Sequence, residues 1–143
     1  MIEVINRQRR REISGKQWRE FGEKTVRAIR KDKKDATIVF VSDNAIKELN
    51  RRFRGKNYAT DVLSFPSQVE AFEIGHQSQL GEVVISVHRA RVQAKEHGLT
   101  FSGEVKQLIL HGLLHLSGYD HETDSGEMNR LELKLRKRLG IDV

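Results

Sequence analysis

The sequence predicts an α/β domain of the α+β kind, with a small mixed β-sheet and helices packed on it. Three observations carry that expectation. Short β-branched and aromatic runs, of which Ala36–Val41 is the clearest, have the length of strands rather than helices. Between them lie stretches whose apolar residues recur at helical spacing, opened by capping residues and mostly closed by a glycine. Along the chain these alternate as β-α-β-α-β-β-α-α-α. The 143 residues contain no Pro/Gly/Ser-rich linker, internal repeat or low-complexity tract, so one domain over residues 1–143 is expected.

Ile2 to Asn6 alternates enough to form a short first strand. In the next helix Ser14 and Gln17 make a capping box, Ile13 can staple to Trp18, and Trp18, Phe21, Thr25, Val26 and Ile29 share one face. That helix ends in the charged stretch Arg30–Asp35, and Ala36–Val41 follows as a strand covered on both faces. Ser42 or Asp43 then caps a helix that turns Ile46, Leu49 and Phe53 inward and closes at Gly55. Thr60–Phe65 reads as a third strand stopped by Pro66, the one proline of the chain. Residues 67–80 are polar, with a short hairpin piece around Val69–Ile74. Gly81–Val87 is a fourth strand that runs directly into a helix through Lys95, ended by Gly98. Ser102 caps the following helix and places Glu104 near the positive end of its dipole. The last helix begins at Thr123 or Asp124, with Asp124 and Glu127 as a second capping box. It packs Met128, Leu131, Leu135 and Leu139 and stops at Gly140.

Hydrophobic residues make up 37% of the chain and charged ones 32%, a balance that suits a soluble globular protein and excludes the disordered class. The absence of cysteine excludes a disulfide framework and a thiolate metal site, so any metal must rest on His, Asp or Glu. No segment approaches the roughly 20 apolar residues of a membrane span, and the N-terminus lacks a signal-type apolar region. A cytoplasmic location without a membrane partner is therefore expected. The net charge of +6 favours polyanionic partners, and the cations cluster at Arg7–Arg11, at Lys31–Lys34 and at Arg51, Arg52, Arg54 and Lys56. Each run would serve equally well as a solvated loop or helix end.

Three of the six histidines fall within His111–His121. On a helix, His111 and His115 project from one face and offer two imidazoles to a single tetrahedral zinc ion. Gly118 ends that helix and turns the chain, so that His121 approaches from outside it. The zinc site is thus expected on a helix-turn. Three neutral imidazoles leave a fourth position open, which is the arrangement of a catalytic rather than a structural zinc. The spacing is that of H-E-x-x-H-x-x-G-x-x-H in the metzincin proteases, with one difference. Gly112 stands where those proteases place a glutamate, so the carboxylate that would take a proton from zinc-bound water is missing and ordinary peptide hydrolysis is not expected. Asp120 and Glu122 flank the third ligand and can orient an imidazole, or equally serve as caps. His76, His88 and His97 have no comparable spacing and read as surface or helix-end residues.

His111–His121 matches throughout the H-G-x-L-H-L-x-G-Y-D-H signature of the YbeY family of bacterial endoribonucleases and rRNA maturation factors, which the chain resembles. A second family segment is matched by Leu49–Lys56 running on to Thr60–Pro66. Here Ala59 stands where a proline is common, and Gly81-Glu82-Val83 where the family often has Gly-Asp-Ile. The resemblance implies a zinc-dependent RNase acting on single-stranded RNA, in maturation of the small-subunit rRNA 3′ end and in ribosome quality control, with the ribosome as partner. It also implies that Arg54, which the sequence alone does not separate from Arg51 or Arg52, lies near the zinc cleft. A guanidinium there can hold a phosphate bidentately. The proton acceptor stays open among zinc hydroxide, Asp61 and the 2′-OH of the substrate. Two other readings compete: a zinc peptidase with a different base, and a basic ribosome-assembly factor whose zinc is structural. No aromatic cluster is expected outside the core, so no base-stacking platform is legible.

Overall fold

The computed structural model describes residues 1–31, 34–67, 79–120 and 124–141. Their elements run β1 (Ile2–Asn6), α1 (Gly15–Ala28), β2 (Asp35–Val41), α2 (Asp43–Arg54), β3 (Val62–Pro66), β4 (Gln79–Ser86), α3 (Val87–His97), α4 (Phe101–Leu116) and α5 (Glu127–Arg138). The four strands form one mixed sheet in the order β1-β2-β4-β3, in which β1, β2 and β4 are parallel and β3 is an antiparallel edge. This is the α+β architecture expected from the element order. Pro66 closes β3 on that edge, where a missing backbone donor costs the ladder least.

Alternation along β2 divides the interior. Ile38 and Phe40 are buried in the larger core with residues of α1, α4 and α5, while Val39 and Val41 join Ile46, Leu63 and Val84 in a smaller core beneath α2. Helix α4 is buried along most of its length, between the sheet on one side and α1, α3 and α5 around it. From Leu108 onward its apolar residues surround the axis, and the polar side chains of that half, His111 and His115, face a cleft.

Several local expectations are corrected. The cap of α4 is Thr100, whose side chain accepts from the Gly103 backbone, and not Ser102. Ser14 caps α1 by accepting from Gln17 N, but the Gln17 amide reaches Ser102 instead of folding back to complete a capping box. Helix α5 starts later than Thr123 or Asp124, at Glu127. Asp124 still acts on its first turn by accepting from the Gly126 and Met128 backbones at 2.8 and 2.9 Å. Phe53, expected inward, is 61% exposed at the end of α2. The hairpin piece at Val69–Ile74 lies outside the described residues, as do His76, His121, Glu122 and Thr123. Among the described residues no helix is long and apolar enough to cross a membrane.

Candidate metal and phosphate site

The C-terminal half of α4 presents His111 and His115 on one stripe, with their Nε2 atoms 3.1 Å apart and ring planes at 75°. The helix comes to lie this close to the sheet because of Gly112. A Cβ built there would meet the methyls of Val83 at 2.6 and 2.9 Å, so α4 rests on β4 through its bare backbone. The residue that replaces the protease glutamate is thus pressed against the sheet, with no room for a side chain reaching the histidines. Beyond His115 the helix ends in a Schellman turn: Gly118 N donates to His115 O and Tyr119 N to Leu114 O, with Gly118 at φ 102°. That turn carries Tyr119 and Asp120 back along the histidine face.

Glu132, halfway along α5, completes this side. Its carboxylate stands 3.1 and 3.2 Å from His111 Nδ1, and both side chains are largely withdrawn from solvent. A proton held on Nδ1 by that carboxylate leaves the Nε2 lone pair for a ligand. Sequence reasoning missed Glu132, since it lies 21 residues from His111 on another helix and only packing of α5 on α4 brings it near.

Opposite the histidines lies the end of α2. Gly55 takes the left-handed conformation (φ 68°) that closes the helix, and Arg54, its last residue, donates through Nη2 to the Ser64 carbonyl of β3 at 2.8 Å. Arg54, Ser64, His111, His115, Tyr119 and Asp120 line one cleft of about 430 Å³. The neighbouring arginine behaves otherwise. Arg51 is paired with Glu48 at 2.6 Å on the open helix surface, and the hydrogen bond between them holds the Glu48 carboxyl below its usual range and raises Arg51. Helix geometry, invisible in a basic run, thus selects Arg54 for the cleft.

Asp61 does not line the cleft; its carboxylate accepts from the Val62 backbone at 2.8 Å and from the Thr60 hydroxyl at the head of β3. His97 pairs with buried Glu104 at the far end of α4, and His88 lies on α3. An aromatic pair absent from the sequence expectation stands beside Arg54. Phe53 and Phe65 meet edge to face with centroids 5.5 Å apart, and the Arg54 guanidinium is 5.9 Å from the Phe65 ring.

The donor set can be tested against zinc. Two nitrogens at tetrahedral positions about 2.0–2.1 Å from the ion are roughly 3.3 Å apart, and the Nε2 atoms of His111 and His115 are separated by 3.1 Å. That separation also lets one Nε2–H donate to the other nitrogen; with that proton removed, the described pair fits half of a tetrahedral set. His121 would have to supply a third donor from outside the described residues.

The chain is similar to known proteins in sequence and in fold. The family model of Endoribonuclease YbeY matches residues 3–140. The chain is 47% identical to an Endoribonuclease YbeY of Nautilia profundicola over 76% of its own length and 74% of the relative's. It is 38% identical to one of Thermodesulfovibrio yellowstonii, with 96% of both chains covered. Among solved structures, the solution structure of a Thermotoga maritima protein superposes with a TM-score of 0.64 at 30% identity, covering 97% of this chain and 89% of that one.

Proposed function

The chain belongs to the YbeY endoribonuclease family, and from that premise we propose that it is a zinc-dependent endoribonuclease specific for single-stranded RNA. Its work lies in maturation of the small-subunit rRNA 3′ end and in ribosome quality control, in the cytoplasm and in contact with the ribosome. The observation that carries the reading is the convergence of His111 and His115 Nε2 atoms, 3.1 Å apart, in a cleft that also receives the Arg54 guanidinium.

His111, His115 and His121 would hold the zinc, which when bound supplies a Lewis acid for a phosphoryl oxygen. Glu132 keeps the Nδ1 proton of His111 in place, so the ring presents Nε2 to the cleft. Arg54 is tethered to the Ser64 carbonyl before substrate arrives. Its remaining donors can hold a phosphate and neutralise the charge that builds on its oxygens as the bond breaks. Exposed Phe53 gives an unpaired base a face to stack on, which duplex RNA cannot offer. Asp120, on the cleft wall, is placed to accept the proton of the attacking oxygen, which belongs either to water or to the 2′-OH of the substrate. The product ends separate these: a 2′,3′-cyclic phosphate marks attack by the 2′-OH, and cleavage that survives a deoxy substitution at the scissile nucleotide excludes it.

The peptidase reading loses support at Gly112, whose backbone is packed on Val83. The assembly-factor reading expects His121→Ala to lower melting temperature and ribosome binding together, with no hydrolysis to lose. The deciding experiment is cleavage of a single-stranded rRNA fragment by nuclease-free wild type, His115→Ala and Arg54→Ala, beside the metal content of each. The nuclease reading expects both variants to fail while Arg54→Ala keeps its metal. Equal cutting by all three, or none by a fully metal-loaded wild type, would hand the protein to the assembly-factor reading.

A further inference from the structure

The three parallel strands end on one edge of the sheet, at Asn6, Val41 and Ser86, and a groove of about 690 Å³ opens beyond them. Open α/β sheets bind ligands at this edge, outside the carboxyl ends of their strands. The groove is lined by Arg7, Arg9, Arg10, Arg11, Arg91 and His88.

The arginine loop is held in shape. The Gln8 amide donates to Asn6 Oδ1 at 2.8 Å and to the Arg11 carbonyl at 2.7 Å, and its oxygen accepts from Arg11 N at 3.1 Å. Arg7 N donates to the Phe40 carbonyl at 2.8 Å, which extends the β1–β2 ladder into the loop. Arg11 lies 3.9 Å above the Phe101 ring. These bonds fix the backbone from which four arginines project, so little ordering is left to do when a ligand arrives.

The charge of the groove is uncompensated from within. Its acid, Asp43, is taken up by Arg89 at 3.2 Å and by the Ser86 hydroxyl at 3.0 Å. Among the described residues, none of the five arginines has a carboxylate within ion-pair distance. Several guanidinium groups whose one lining acid is paired elsewhere suit a row of phosphates better than one carboxylate.

Helix α2 joins this groove to the histidine cleft. Asn44, in its first turn, lines the groove, and Arg54, its last residue, lines the cleft. Twelve helical residues span about 18 Å, a distance that a single strand covers with a few nucleotides. We propose that the arginine groove is a second RNA site, which holds the phosphate backbone of the strand whose other segment lies in the His111–His115 cleft. The proposal rests on the reading of RNA as the substrate and adds to it how a long strand is held.

The test is binding of single-stranded RNA to the full chain carrying Arg9→Ala and Arg10→Ala together. Both side chains are exposed, and an unaltered melting temperature checks that the fold is kept. Strands of ~4 and ~16 nucleotides bracket the known range of single-strand sites. Wild type should bind the longer strand at least tenfold more tightly, and the double variant should lose most of that preference. Its salt dependence for the longer strand should flatten by ~1.4 in log–log slope, at ~0.7 per lost phosphate contact. Wild-type affinity and slope in the double variant would overturn the proposal and leave an acidic protein as the occupant of the groove. The two readings fail separately. A wild type that binds the long strand through these arginines without cutting it counts against the nuclease, while one that cuts but is indifferent to them counts against the groove.

Discussion

The two ends of α2 open onto different kinds of surface. At its C-terminal end lies a cleft in which two half-buried histidines stand 3.1 Å apart with a carboxylate behind one of them, and an exposed arginine is tied to a strand carbonyl. At its N-terminal end lies a larger groove whose arginines have no acidic partners among the described residues. The first arrangement ties its groups to one another by direct contacts, the kind of positioning that bond-breaking would demand. The second supplies charge, which tolerates looser geometry and gives affinity without choosing a bond. A net charge of +6 counts toward both and distinguishes neither; spacing and packing do.

The sharpest break in that comparison comes from Arg54→Ala. If the guanidinium stabilises charge in the transition state, cleavage should fall by ~10²–10³ while metal content stays at the wild-type level, measured by elemental analysis beside single-turnover kinetics. A smaller loss is expected from Glu132→Ala, which frees the His111 ring: zinc affinity should weaken ~10–100-fold in competition with a chelating dye. Activity at saturating zinc should return most of the way. Gly112→Ala probes the packing beneath the site, because the added methyl meets Val83 at 2.6 Å. Overpacking of this kind should cost ~1–3 kcal/mol in denaturant unfolding, with an unchanged m-value. At the bottom of the scale, Arg51→Ala removes a solvent-exposed partner of Glu48 and should leave melting temperature and cleavage at wild-type values. An Arg51 effect as large as that of Arg54 would erase the distinction between the cleft and the surface of the same helix.

How much of this was legible follows from the range over which each feature is determined. The pairing of His111 with His115 is a property of one helix turn, and Gly118 stops that helix through its own backbone conformation, so both are written locally. The mixed sheet followed from the order and length of apolar runs. Arg54 was not separable from Arg51 by pattern, since only the rotation of the last turn of α2 against β3 decides which guanidinium reaches Ser64. Phe53 has the helical spacing of a core residue behind Ile46 and Leu49. Yet the last turn of α2 reaches the edge strand, where one ring of a partner, Phe65, covers it on one side and solvent on the other. Glu132 carries no signal at all, because its meeting with His111 depends on how α5 packs on α4. The capping box at Ser14 failed for a related reason: Gln17 found a tertiary partner in Ser102 that competes with the local one.

The claim on which the rest depends is that the histidine cleft works through one bound metal ion. It is tested most directly by stripping the purified protein with a chelator and returning zinc in steps, with cleavage of a single-stranded rRNA fragment followed at each step. The account predicts that cleavage is lost on stripping and rises in proportion to added zinc until about one ion per chain is bound, as a single three-histidine site requires. It predicts no recovery in His115→Ala. Cleavage that survives complete removal of metal, or that returns equally in the variant, would contradict it.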